Sequence, residues 1–233
     1  MDGRRGRSRR RARQRRPGRF GLTGFANGGI LLPFMTALLG RSPDQSAPSS
    51  GAPGRLVYRV DAGDAITWVG PGWLEFARDN DAPELEPSSL LGRPLRTWVA
   101  GSSVWQLYAL LLQRVRLTGR PLTFAFRCDA PALRRFLTMT MTPLAEHGIE
   151  FDSVLTRAES RTPVPLLDRR LARSERFVTL CSWCKRVKVA EGDWREIEAA
   201  VEPVRLFGTV ARPMLTHGIC PSCVRLFDGL TSP

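Results

Sequence analysis

The chain has 233 residues and a formal charge of +13, and residues 1–20 hold ten arginines against a single acid, Asp2. The other 213 residues carry 25 basic and 21 acidic side chains, a charge of +4, so the basic excess does not mark the folded part as a nucleic-acid binder. At 42% hydrophobic and 24% charged the composition is that of an ordinary soluble globular protein, and with only two lysines, Lys185 and Lys188, the arginine preference reads as genome composition bias.

Residues 1–54 read as a basic, disordered segment that ends in a flexible linker, RSPDQSAPSSGAPG. Phe20 to Gly40 superficially has the form of an export signal behind its basic run. As a membrane span it is poor: Ile30 to Leu39, its longest apolar run, is interrupted by Pro33 and Thr36 and falls far short of the roughly 20 residues a bilayer requires. Three readings stay open for this region: upstream sequence from a wrongly placed start codon, a disordered basic tail, and export, which would put the cysteines in an oxidising space.

From Arg55 the pattern becomes that of a folded domain. Leu56 to Val60 and Ile66 to Val69 are predicted strands joined by the turn-forming Asp61-Ala-Gly-Asp64. Pro71 opens a short predicted helix, Gly72 to Asn80, followed by an acidic loop, Asp81 to Pro87. Val104, Leu107, Tyr108, Leu111, Leu112 and Val115 recur at helical spacing and predict a helix over Ser103 to Thr118, closed by Gly119. Leu122, Phe124 and Phe126 alternate with polar or small residues, as do Leu137, Met139 and Met141, and Ile149 to Leu155 is again strand-like. The expected class is α+β: a five-stranded, largely antiparallel sheet with helices on one face.

Residues 159–176 contain Pro163 and Pro165 and then a charged stretch, Leu166 to Arg176, that predicts a short linker helix. Beyond it, over residues 177–230, Cys181-Ser-Trp-Cys184 and Cys220-Pro-Ser-Cys223 form two C-x-x-C pairs. Each such turn presents two thiolates at the separation a tetrahedral ion needs, so the four cysteines predict a closed, structural zinc site in a small zinc-ribbon-like module. Lys185, Arg186 and Lys188 would offset the thiolate charge. A thioredoxin-like dithiol and an iron–sulfur cluster remain as alternatives. His217 is expected beside the site, as a hydrogen-bond donor to a thiolate or as an alternative ligand. Between the pairs, Gly192 to Val201 predicts a helix with Asp193 as N-cap and Glu196 completing a capping box.

The order of elements over residues 55–158 resembles that of a PAS domain. The residues that carry the likeness are Tyr58 to Asp61, Ile66-Thr-Trp-Val-Gly70 before Phe76-Ala77, Leu90-Leu-Gly-Arg-Pro-Leu95, Arg114 to Pro121, and Arg127-Cys-Asp129 with Arg134, Arg135 and Met139. The composite C-x-W-C-K-R-V, G-x-W-x-x-I-E and H-G-I-C-P-x-C resembles a tail found after PAS or receiver domains in bacterial signalling proteins. The resemblance implies a sensory or protein-interaction module, with Phe124, Phe126, Leu137, Met139 and Met141 as core or pocket wall. Flavin and haem are not expected, because Cys128 ends a strand instead of sitting in an Asn-Cys-Arg-Phe-type helix motif, and neither His147 nor His217 falls on the central helix.

The expected protein is thus a cytoplasmic bacterial signal-transduction protein, not an enzyme and not membrane-bound. Its partner would be another signalling protein, and it would form a homodimer through the PAS-like domain and the linker. Nucleic acid is not expected. A zinc-containing DNA-binding transcriptional regulator and a dithiol redox sensor are the competing classes.

Overall fold

In a computed structural model, the residues described are 54–74, 85–168, 170–200 and 211–231. The basic segment and linker over 1–53, most of the helix expected from Gly72 to Asn80, and most of the acidic loop lie outside them; residues 72–74 are helical. No helix among the described residues is long and apolar enough to cross a membrane.

Strands β1 (Arg55–Val60) and β2 (Ile66–Val69) form the expected hairpin. Asp61 closes its turn by accepting backbone N–H bonds from Gly63 and Ala65, each at 2.9 Å, as short acidic side chains do in tight turns. The chain then passes through a short helix α1 (Pro87–Leu90) to the main helix α2 (Ser102–Thr118). All six apolar residues expected to face the core of α2 do so, and Gly119 ends it at φ +61°. Strands β3 (Leu122–Arg127), β4 (Leu133–Pro143) and β5 (Ile149–Ser160) complete an antiparallel sheet of order β2-β1-β5-β4-β3.

The pleat sorts the side chains of this sheet. Phe124, Phe126, Leu137, Met139 and Met141 are all buried on the face covered by α2, with Tyr58 stacked on Phe151 at 4.5 Å. The opposite face is polar, with a Thr123–Thr140 hydroxyl pair at 3.1 Å and ion pairs Arg55–Asp152 and Arg59–Glu150.

A second sheet of order β8-β7-β6-β9 follows, made of β6 (Arg173–Cys181), β7 (Val187–Ala190), β8 (Asp193–Arg195) and β9 (Arg212–Gly218), and helix α3 (Pro221–Thr231) ends the described chain. Two expected helices do not form. The linker helix of residues 159–176 is replaced by the tail of β5, a 3-10 turn at Pro165–Leu167 and the start of β6. Pro163 and Pro165 deprive the segment of two N–H donors and hold their predecessors extended. The charged appearance also misleads, because Arg173 donates to the carbonyls of Leu166, Asp168 and Pro213 at 2.9, 2.9 and 3.0 Å. Leu166 and Leu167 consequently enter a small core with Val178, Leu180, Val187 and Ile197.

The helix expected from Gly192 is likewise absent among the described residues. Glu191-Gly192, with Gly192 at φ +75°, is a two-residue turn joining β7 to β8, a geometry that favours glycine. Asp193 pairs with Arg195 at 2.7 Å instead of capping a helix, and Val201 lies outside the described residues.

Candidate metal centre

The two cysteine pairs are far apart in sequence and are joined by one strand pairing. β6 and β9 run parallel, and their register sets Cys181 opposite Gly218. Cys181 thus ends β6 where β9 turns into Cys220 and α3, whose first turn holds Cys223. The Sγ atoms of Cys181, Cys184, Cys220 and Cys223 all lie within 4.8 Å of one another. Lys185 adopts φ +61° to close the first turn, with its N–H on the Cys181 carbonyl at 3.0 Å. The Cys220 N–H points at the Cys181 sulfur at 3.4 Å.

The protonation of the cluster shows what it can hold. Hydrogen bonds from Cys184 and Cys223 push the Cys181 thiol strongly down against the opposing effect of burial. The same bonds hold protons on the donors: Cys184 is pushed up to about 12 by its bond to Cys181, and Cys223 is raised further by Cys181 and Cys184. Left to itself, such a cluster favours one thiolate beside protonated neighbours. Deprotonating all four requires a multivalent cation among them. For a tetrahedral ion with metal–sulfur bonds of about 2.3 Å, sulfurs stand about 3.8 Å apart, and the observed spacing, with Cys184 and Cys220 at 3.5 Å, fits a single ion. Cys181, Cys220 and Cys223 are buried and Cys184 is half-buried, which leaves no open face for a substrate.

The expected neighbours divide. Lys185 is only 3% exposed, its ammonium donating to the Ser182 carbonyl at 2.7 Å, and burial lowers its pKa while Cys181 raises it. Arg186 stays near Cys184 and Cys220, with its pKa raised chiefly by Glu196. Lys188 turns away and pairs with Glu191 at 2.6 Å, so it does not serve the thiolates. His217 lies on β9 opposite Leu180, outside the sulfur group, with Nδ1 buried and without a hydrogen-bond partner. Burial, and then Lys185, lower its pKa to about 4, so it is neutral near pH 7. Cys128 is wholly buried and its thiol is pushed up to about 12 by that burial, as befits a structural residue.

Two features are not legible in either cysteine pair. Trp183, inside the first C-x-x-C turn, and Phe227, one helical turn after Cys223, lie against the first sheet. Their rings are 4.6 Å apart, Trp183 is 5.4 Å from Tyr108, and Phe227 is 5.4 Å from Phe124. The cysteines therefore share one apolar core with the five-stranded sheet.

The second feature is an ionic clasp. Asp129, 2% exposed, accepts both Nε and Nη2 of Arg127 and is 3.0 Å from Arg161. Arg127 also reaches Glu196 at 2.7 Å, while Arg161 and Arg134 hold Glu198 at 3.1 and 2.9 Å. Burial opposes the Arg127 charge, yet the bonds to Asp129 and Glu196 outweigh it and raise its pKa. Arg135 lacks a comparable partner, and burial lowers its pKa. Arg127, Arg135, Arg161 and Lys185 thus crowd around one fully buried carboxylate. A divalent ion on four thiolates carries a net charge of −2 and would complement them.

The chain matches no protein-family model, and a search of curated proteins finds no match.

Proposed function

We propose that this chain is a signal-transduction protein in which a PAS-like sensory and protein-interaction domain is coupled to a structural zinc centre. The observation that carries the reading is the closed group of four sulfurs within 4.8 Å of one another, set in the core of the sheet that would do the sensing. The strand order β2-β1-β5-β4-β3, with α2 across one face, supports the PAS-like half.

When bound, zinc supplies a fourfold cross-link with no redox chemistry of its own. The chain's residues do the rest. Cys181, Cys184, Cys220 and Cys223 hold the ion, their burial excludes water, and the nearby cations balance the thiolate charge. Coupling to the sensor runs through direct contact: the Arg127 N–H donates to the Trp183 carbonyl at 2.7 Å, beside the clasp to Glu196 and Glu198. The centre offers no catalytic position, and five free cysteines suit a reducing compartment such as the cytoplasm. The output partner is another signalling protein, with self-association through the sheet domain as a further mode.

Metal analysis with native mass spectrometry of the purified full chain tests this reading. One zinc per chain is expected, and the same spectra report any retained ligand and the oligomeric state. A metal-free chain, or iron with inorganic sulfide, would overturn it.

A further inference from the structure

The sheet face that a ligand would enter is already filled, and by residues tied directly to the metal ligands. Trp183 sits between Cys181 and Cys184, and Phe227 follows Cys223 on the same face of α3. Both are nearly inaccessible, at 4% and 2% exposed. Around them stand Tyr108 of α2 and Phe124 of β3, with Trp183 and Phe124 at 6.0 Å. Beyond Phe227 the helix is less closely held: Gly229 and Leu230 border an open cleft of about 590 Å³ against Arg114, Arg120 and Leu122.

From this arrangement we infer that the cysteine module is a latched cap, in which Trp183 and Phe227 plug the aromatic cradle of the sheet and the bound metal is the latch. The inference rests on the zinc reading above. Holding Cys181 and Cys184 against Cys220 and Cys223 fixes the Trp183 turn and the first turn of α3 to each other, and so fixes the two plug rings at their contact distance. Without that cross-link, four sulfurs that favour a single negative charge no longer join the two turns. The plug then depends on the clasp and on its own apolar contacts. The opened cradle, shaped by two aromatic rings, takes a planar, largely apolar aromatic ligand or an aromatic side chain of a partner.

The test uses the full chain, as purified and after treatment with a zinc chelator under reducing, non-denaturing conditions. Two readouts apply: hydrogen exchange by mass spectrometry, and fluorescence of 1-anilinonaphthalene-8-sulfonate, a naphthalene probe for the cradle. On metal removal, α3, residues 177–187 and β3 should lose protection, β1, β4 and β5 should keep it, and dye fluorescence should rise severalfold. Retained protection in α3 and β3 would overturn the latch, as would equal loss throughout β1, β4 and β5, since the metal would then hold the whole fold. The variant carrying Trp183→Ala and Phe227→Ala supplies the converse. With its zinc still bound it should bind the dye without chelator, and failure to do so would overturn the plug. A chain that purifies without metal refutes the zinc reading itself; one that holds zinc and stays closed after its removal refutes the latch alone.

Discussion

Asp129 binds two buried guanidinium groups at once, so neutralising it strands Arg127 and Arg161 instead of deleting one surface pair. Breaking a buried ionic group by removing one partner costs about 3–5 kcal/mol. Asp129→Asn should lower the unfolding free energy of the metal-loaded chain by that amount in urea, and a midpoint unchanged from the parent would show that the clasp is not a stabilising element. His217 supplies the pH dependence. Its folded pKa is lowered from 6.5 to about 4, so between these values the unfolded chain binds a proton that the folded chain does not. Stability from keeping His217 neutral is intact above about pH 6.5 and is lost as pH falls toward 4. Acid also protonates metal-bound thiolates, but it does so in the parent and in His217→Gln alike. The difference in stability between the two should therefore move in favour of His217→Gln on going from pH 7 to pH 5, and parallel curves would contradict the assignment.

At the scale of elements, the contact between α2 and β9 rests on a residue without a side chain. Gly101 precedes α2 at φ +85°, and a Cβ there would stand 2.6 Å from the His217 carbonyl oxygen. Gly101→Ala combines backbone strain with a clash, and a cost of roughly 1–3 kcal/mol follows. Because β9 leads into Cys220, the same substitution should speed zinc release to a competing chelator; unchanged release kinetics would separate the α2 contact from the metal site. Much of the first sheet was readable because Leu137, Met139 and Met141 repeat with the period of a strand and α2 with that of a helix. The four cysteines were readable because a C-x-x-C turn is local. Residues 193–201 misled because Asp193 and Glu196 have the spacing of a capping box, while the deciding feature, the positive φ of Gly192, belongs to the turn before them. The clasp was hidden for another reason: Arg127 and Glu196 are 69 positions apart, and no periodicity relates them.

For the whole molecule, the shared core has a consequence that two independent units would not share. Phe124 and Tyr108 belong to the sheet domain, Trp183 and Phe227 to the cysteine module, and each pair completes the burial of the other. Truncating a buried phenylalanine to alanine costs about 3–5 kcal/mol, a large share of the roughly 5–15 kcal/mol that keeps a domain folded. Neither half can therefore unfold while the other remains at full stability. The metal-loaded chain should melt in a single transition, with near-ultraviolet circular dichroism from the tryptophans and far-ultraviolet signal from the backbone changing together. Phe227→Ala should lower that common midpoint, because the lost contacts belong to both halves. Two resolved transitions in the metal-loaded parent, or a Phe227→Ala effect confined to one of them, would show that the sheet and the cysteine module are energetically separate despite their contact.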